Sequence, residues 1–210
     1  MHKPHPVIAA TLTAIALLSA TSLCVAEQRA NPPSAQASAA TRLSEPGPEA
    51  KALAQQAGQW DVVATMWPAP GAPAVEMRGL VAERTMIGLY LQEVMHLAPG
   101  ASGPDFKRID YLNFDGVEGR WKYVSMDTRF PVSIMPAWST GPARDGKLAL
   151  QFAPQAFVGF GTEVEGRFML SDMVFSQTDA NHLLKQQHVI MANGTGKSWL
   201  FTQYEYTRRR

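Results

Sequence analysis

Short runs of apolar and polar residues alternate along the chain after Gly58, and turn-forming residues separate them. The runs are rich in Val, Leu, Met, Phe, Tyr and Trp. Several alternate with a period of two residues, as a β-strand with one buried face does. The dipeptides Asp145-Gly146 and Asn193-Gly194 are typical of hairpin turns. The pattern predicts about ten strands, at 60–67, 75–86, 89–97, 106–114, 120–126, 132–140, 147–153, 162–175, 182–192 and 198–207.

Helix-forming residues are concentrated in one short segment before these strands. Residues 49–57 read EAKALAQQA and end at Gly58, which predicts a short helix. No longer helix interrupts the strands, so parallel βαβ units are excluded. Closure into a barrel removes the open edges of an antiparallel sheet. We therefore predict an all-β fold, an up-and-down antiparallel β-barrel of about ten strands with a short N-terminal helix. A two-sheet β-sandwich is the alternative.

The N-terminal region has the pattern of a secretory signal peptide. Lys3 precedes an uncharged apolar run at 7–25, and small residues follow up to Ala26. The alternative is a membrane anchor, but this run is barely long enough to span and no basic cluster follows it. We predict a cleaved signal peptide at 1–26, a disordered Pro/Ala/Ser-rich linker at 27–48 and a barrel domain at 49–210. The protein is then periplasmic or secreted, with no integral membrane segment after cleavage.

Composition excludes several classes of function. The chain has 210 residues and a formal net charge of +1, which predicts no nucleic-acid partner. Its one cysteine, Cys24, leaves with the signal peptide, so a disulfide framework and a thiolate metal site are both excluded. The three histidines that remain are not spaced as a metal site requires, and we predict no metal.

Two charged residues lie on strand faces that are otherwise apolar. A hairpin turn at Ile87-Gly88 puts Arg84 opposite Leu91, with Glu93 as its diagonal neighbour. If this face points inward, Arg84 and Glu93 form a buried ion pair that could anchor the polar head of a ligand. The alternatives are that the face points outward, or that the pair only stabilises the barrel.

His188 is the one histidine with an interpretation beyond packing. It shares a predicted strand face with Leu184 and Ile190, opposite a face that carries Lys185 and Gln187. A single histidine suffices as a haem ligand. A core histidine bonded to a neighbour is the competing interpretation. We predict no cofactor, with haem bound through His188 as the alternative.

Short motifs, in order and spacing, resemble the DUF1579 family of uncharacterised bacterial proteins. They read AGQW at 57–60, IGLYL at 87–91, RWKYVSMD at 120–127 and YEYTR at 204–208. The resemblance covers roughly residues 50–208. The Gly-x-Trp start also resembles calycins such as lipocalins, which implies that Trp60 and Arg208 form a structural cation–π pair at the base of the barrel.

These observations predict binding of a small apolar or amphipathic molecule inside the barrel. The candidate ligand-binding residues are Arg84, Glu93, Tyr111, Trp121, Tyr123 and His188. One alternative is an enzyme for a small substrate, with Asp127 or Glu93 as general base and His188 or Tyr123 as acid. Another is an interaction module of the cell envelope. The sequence assigns no catalytic residue and predicts no oligomeric state.

Overall fold

The architecture is a single antiparallel sheet of eleven strands, seen in a computed structural model that describes residues 41–130, 134–157, 167–192 and 196–210. A helical turn at 41–44 and the helix α1 (Pro48–Ala54) precede the strands. The strands are β1 (Gly58–Met66), β2 (Val75–Ile87), β3 (Tyr90–Leu97), β4 (Arg108–Asp115), β5 (Arg120–Asp127), β6 (Met135–Ser139), β7 (Lys147–Phe152), β8 (Gln155–Phe157), β9 (Arg167–Asp179), β10 (His182–Met191) and β11 (Trp199–Arg208).

Ten of the strands close into a barrel. β10 pairs with both β9 and β11, and β11 pairs with β1, so the sheet has no open end. The extra strand, β8, pairs with β9 beyond the end of β7: Gln151 lies opposite Asp172, and Gln155 lies opposite Met169. β7 and β8 therefore occupy the same place in the barrel, next to β9, with a break between them that begins at Ala153. This confirms the predicted antiparallel barrel over the two-sheet sandwich.

The positions of most strands agree with those predicted from the sequence. Ten of the observed strands follow the predicted runs, and β9 ends four residues later than predicted. β8 was not predicted. The predicted strand residues 132–133 and 162–166 lie outside the described residues. The predicted signal peptide and most of the predicted linker lie in residues 1–40, also outside them. The last part of that linker contains the helical turn at 41–44. Within the described part of the chain, no helix is long and apolar enough to cross a membrane.

Alternating burial shows which face of each strand points into the barrel. In β7 the buried residues are Leu148, Leu150 and Phe152, and they alternate with exposed neighbours. Together with Met173 of β9 they belong to an apolar cluster that also takes in Leu53 of α1. We call Leu148, Leu150, Phe152 and Met173 the apolar core.

α1 is held at the end of the barrel where β1 begins and β11 ends. The Trp60 indole N–H donates to the carbonyl of Gln56 at 3.0 Å, just after the helix. Arg208 donates to the carbonyls of Gln55 and Ala57 at 2.6 and 2.7 Å. Between them, Gly58 has φ +128°, and a Cβ there would lie 3.0 Å from the Arg208 guanidinium. Glycine is therefore the residue that fits this crossing.

Candidate functional site

A row of polar residues crosses four neighbouring strands inside the barrel. Arg84 of β2 lies opposite Glu93 of β3, Glu93 lies opposite Asp110 of β4, and Asp110 lies opposite Ser125 of β5. All four side chains are buried. The row exists because each strand presents a polar residue at the same level of its inward face, and strand pairing brings opposed residues to within about 5.5 Å.

Glu93 is the centre of the first half of this row. Its Oε2 accepts a hydrogen bond from Arg84 Nε at 2.6 Å, and Arg84 Nη2 lies 2.6 Å from the same oxygen. Its Oε1 accepts from Lys185 Nζ at 2.7 Å and from the Tyr206 hydroxyl at 3.0 Å. Lys185 and Tyr206 reach Glu93 from β10 and β11, across the barrel. Both oxygens of this carboxylate are therefore occupied by donors.

Asp110 is the centre of the second half. Its Oδ1 accepts from Ser125 Oγ at 2.6 Å and from Arg108 Nε at 3.1 Å. Its Oδ2 accepts from Lys185 Nζ at 3.1 Å. Arg108 also donates to the Tyr123 hydroxyl at 3.0 Å. Lys185 thus bridges the two carboxylates. We call Arg84, Glu93, Arg108, Asp110 and Lys185 the ion cluster.

Aromatic rings surround the cations of the ion cluster. The Arg84 guanidinium lies 4.6 Å from the ring centre of Tyr206 and 5.4 Å from that of Trp60. The Lys185 ammonium lies 5.2 Å from the Phe175 ring. The Arg108 guanidinium lies 4.8 Å from the Tyr204 ring in the same way. Cation–π attraction gains strength in such desolvated sites.

The charges of the ion cluster shift the pKa values of its members. Burial alone would raise the pKa of each carboxyl. Arg84 and Lys185 nevertheless lower the pKa of Glu93, and Arg108 and Lys185 lower that of Asp110. Burial lowers the pKa of Lys185, against the attraction of the two carboxylates. The two carboxylates are therefore ionised near neutrality, while Lys185 gives up its proton more readily than an exposed lysine.

The ion cluster carries one excess positive charge. Three cations, Arg84, Arg108 and Lys185, face two anions, Glu93 and Asp110, and each is at most 5% exposed. The neighbouring ion pair of Asp127 and Arg129 adds no net charge to this count. Asp127 accepts two side-chain hydrogen bonds from Arg129, at 2.6 and 3.0 Å. Burial of uncompensated charge costs free energy.

A cavity of about 220 Å³ separates α1 from the ion cluster. The polar residues of its lining are the buried or half-buried Gln56, Arg84 and Lys185, together with Lys147, Ser176 and Gln177 nearer the surface. Its rim includes exposed residues of the segment between β6 and β7, such as Ala143. The rest of its wall is mainly apolar and includes Leu53, Leu112, Trp121, Leu148, Phe175 and Leu183.

Four of the six predicted ligand-binding residues lie in or beside this site. Arg84 and Glu93 are a buried ion pair, Trp121 lines the cavity and Tyr123 bonds to the ion cluster. The predicted register was wrong by two residues, because Arg84 pairs with Glu93 directly rather than with Leu91. Ile87 pairs with Tyr90, so the turn between them consists of Gly88, with φ +60°, and Leu89. It is therefore a two-residue hairpin loop with glycine first.

Tyr111 and His188 lie on the outside of the barrel. The Tyr111 hydroxyl accepts from Gln92 Nε2 at 2.5 Å on the outer surface of β3 and β4. The His188 side chain is 38% exposed, and its Nδ1 lies 4.0 Å from a carboxylate oxygen of Asp172. The prediction of an apolar face for His188 was wrong, because β10 turns Lys185 and its alternating neighbours inward. This position does not fit a haem held inside the barrel.

Both candidate general bases of the enzyme alternative are held in ion pairs. Glu93 is saturated with donors, and Asp127 is ion-paired with Arg129. Burial raises the pKa of Tyr123 well above its usual value, so its hydroxyl stays protonated. His188 lies outside. Among the described residues, no group of three His, Cys, Asp or Glu side chains is placed to hold a metal ion.

Sequence reasoning missed Arg108, Asp110 and Lys185 as members of the site. Arg108 and Asp110 alternate with Leu112 on one face of β4, in the same way as Arg84 alternates with apolar residues in β2. Charged residues on the apolar face of successive strands were the available signal. Lys185 had no such signal, because its own strand has apolar residues on both faces.

Trp60 and Arg208 meet at the base of the barrel. The two residues are paired in register between β1 and β11, and the Arg208 guanidinium lies 4.2 Å from the Trp60 ring centre. Trp60 is completely buried. The stacking, together with the bonds of Arg208 to the carbonyls after α1, joins the helix to both strands.

Known proteins relate to this chain mainly through family and fold. The profile of DUF1579, described as a protein of unknown function, matches residues 45–208. The solved structure of Rv2717c from M. tuberculosis is similar, with a TM-score of 0.52 and 12% identity over 79% of this chain and 100% of that one. No curated protein matches. At this identity the structural likeness concerns the fold alone. The profile match, which spans most of the chain and agrees with the motifs, shows that the protein belongs to the DUF1579 family.

Proposed function

We propose that this protein binds a small molecule with an apolar body in the cavity between α1 and the ion cluster. The observation that carries the proposal is the composition of the cavity wall, which is mainly apolar and has polar groups at Gln56, Arg84, Lys147, Ser176, Gln177 and Lys185. Concave, mainly apolar sites with a few convergent polar groups are typical of small-molecule binding. An amphipathic ligand would place its polar group toward Arg84 and Lys185.

Binding is favoured over catalysis by the state of the titratable groups. A general base needs a free, basic lone pair, but cations occupy both oxygens of Glu93 and lower its pKa. The same holds for Asp110. These groups orient donors around the cavity and hold them rigid, which is what a preorganised binding site requires.

The cavity size limits the ligand. A volume of about 220 Å³ corresponds to roughly seven water molecules at about 30 Å³ each. This is below the usual range for drug-sized ligands. The expected ligand is therefore compact, of the size of a substituted benzene ring or a short aliphatic chain.

We further propose that binding takes place in the periplasm or outside the cell. The support is the pattern of residues 1–26, which has the basic start, apolar run and small residues of a signal peptide. The intact mass of the protein purified from its native compartment tests this directly. We expect a chain that begins at Glu27, and a chain that keeps residues 1–26 would contradict the proposal.

Native mass spectrometry of the same preparation, combined with a cavity-blocking variant, tests ligand binding. Ala52 of α1 lines the cavity, so Ala52→Phe should fill its opening. Ala54, on the same helix, is exposed and does not line the cavity, so Ala54→Phe is the matched control. We expect a bound mass, or a rise in melting temperature with added compact aromatic compounds, in the wild type and A54F but not in A52F. Equal binding by both variants would contradict this site.

A further inference from the structure

We propose that the ligand is a small organic monoanion, a carboxylate with a compact apolar body, and that its oxygen replaces the Gln56 side-chain oxygen on Arg84. This inference rests on the proposed function and assigns the chemical class of its ligand. Its basis is a count of charges and of hydrogen-bonding groups around the cavity.

The carboxylates of the ion cluster are bonded to the cluster's own donors, and neither of them lines the cavity. Glu93 accepts from Arg84, Lys185 and Tyr206. Asp110 accepts from Arg108, Ser125 and Lys185. A cationic ligand or a donor group would therefore have to displace an existing strong bond. The polar side of the cavity selects against such ligands.

The cations that line the cavity do retain donor capacity. A guanidinium has five N–H groups and an ammonium has three. Arg84 uses two toward Glu93 and one toward Gln56, which leaves two. Lys185 uses two of its three, toward Glu93 and Asp110. The remaining hydrogen-bonding capacity of these two cations consists of donors, and an acceptor on a ligand would pair with them.

The charge count indicates that this acceptor is anionic. The ion cluster holds three cations and two anions, so one further negative charge neutralises it. Charge-assisted hydrogen bonds are about twice as strong as neutral ones, and they strengthen further where water is excluded. A carboxylate supplies both the charge and two acceptor oxygens.

Gln56 occupies the position that a ligand oxygen would take. Its Oε1 accepts from Arg84 Nη1 at 3.1 Å, while its Nε2 donates to Gln177 at the exposed edge at 3.4 Å. An amide oxygen satisfies the hydrogen bond of Arg84 but does not compensate its charge. A carboxylate that enters the cavity would therefore exchange a neutral acceptor for an ionised one at the same guanidinium nitrogen.

The first experiment compares matched compounds by isothermal titration calorimetry with the wild-type protein. Benzoate is compared with benzamide and benzylamine, which keep the ring but change the charge. We expect benzoate to bind about tenfold or more tightly than benzamide, in line with the difference between ionic and neutral hydrogen bonds. Equal or tighter binding of benzamide or benzylamine would overturn the anion assignment and leave the proposed function standing. Binding of none of these compounds would contradict both.

The second experiment introduces a negative charge into the protein at the position proposed for the ligand oxygen. Gln56→Glu puts a carboxylate beside Arg84 without change of length. Gln55→Glu makes the same change of charge at the exposed neighbouring residue. We expect Q56E to raise the melting temperature of the unliganded protein and to weaken benzoate binding by about tenfold or more. Q55E should do neither. If Q56E behaves like Q55E, Gln56 does not occupy the anion position and the inference fails.

Discussion

The barrel interior contains two regions that are equally buried and chemically opposite. The apolar core of Leu148, Leu150, Phe152 and Met173 has no polar side-chain atom. The ion cluster has five charged groups at comparable burial. Apolar burial stabilises each residue almost independently of which apolar neighbour it has. Burial of the ion cluster is tolerated because each carboxylate is paired with cations.

The two regions should therefore respond differently to mutation and to pH. The stability of the apolar core depends on volume and on removal from water, neither of which titrates. The stability of the ion cluster depends on the balance of its charges. A change that keeps this balance should therefore be tolerated better than one that disturbs it.

The largest effect is expected from Glu93→Gln, which leaves three cations facing one anion. Removal of one member of a buried ion pair typically costs about 3–5 kcal/mol, because its partner remains buried without compensation. We expect a loss of that size in the free energy of unfolding, measured by urea denaturation.

The control for this variant is Glu83→Gln. Glu83 is adjacent in sequence to Arg84, but its side chain is half exposed on the outer face of β2. Surface substitutions of this kind usually change stability by less than about 0.5 kcal/mol. Similar losses for E93Q and E83Q would show that the ion cluster does not contribute to folding in the way its contacts suggest.

An intermediate effect is expected from acid. The pKa values of Glu93 and Asp110 are lowered in the folded chain. Unfolded carboxyls titrate near pH 4, so the unfolded chain binds protons first as the pH falls. The stabilisation is fully present above that pH and is lost as the pH falls below it, by at most about 1.4 kcal/mol per carboxylate for each pH unit. Urea denaturation at a series of pH values between neutrality and pH 3 measures this loss.

The apolar core supplies the comparison for the acid experiment. Leu150 is 1% exposed, and Leu150→Ala should cost about 2–5 kcal/mol at any pH. Its stability curve should therefore run parallel to that of the wild type. A wild-type curve that stays flat below pH 5, or an L150A curve of different slope, would contradict the assignment of acid sensitivity to the ion cluster.

The smallest effect is expected from Lys185→Met, although it removes a fully buried charge. The variant leaves two cations facing two anions, and each carboxylate keeps its own arginine. We expect a loss of about 1 kcal/mol or less in the free energy of unfolding. The reason is that the variant replaces an excess buried charge by an apolar side chain and leaves equal numbers of cations and anions. A loss as large as that of E93Q would show that the number of contacts, not the charge balance, stabilises the ion cluster.

The same variant also has a signature at high pH. Because the pKa of Lys185 is lowered in the folded chain, the unfolded chain holds this proton more tightly. The wild type should therefore gain stability relative to K185M as the pH rises toward about 10, the value of an unfolded lysine. A constant difference between the two proteins across this range would contradict the lowered pKa.

The positions of the strands could be predicted from the sequence, but the inward faces could not all be predicted. β7 reads as alternation of Leu148 and Leu150 with polar neighbours, and the structure follows it. β10 has apolar residues on both faces, and the rule that apolar residues point inward placed His188 inside and Lys185 outside. The rule failed because the partners of Lys185 lie on β3 and β4, 92 and 75 residues earlier in the chain.

The candidate site was half predicted for the same reason. Arg84 and Glu93 could be recognised as a pair because one short hairpin joins them. Asp110 could be found only through the register of the next strand pair, and the cavity only through the position of α1 at the end of the barrel. Each added strand multiplies the registers that local sequence leaves open.

Ten of the strands, their antiparallel order, the short helix before them and the likeness to DUF1579 could all be predicted from local sequence. These properties follow from period-two patterning, turn residues and short motifs, all of which act over a few neighbouring residues. Three properties become visible only in the folded chain: which strand faces line the interior, the sharing of two carboxylates by three cations there, and the cavity that borders them. Those properties depend on closure of the barrel, which brings β10 and β11 across from β3 and β4 and so pairs charges that are distant in the chain.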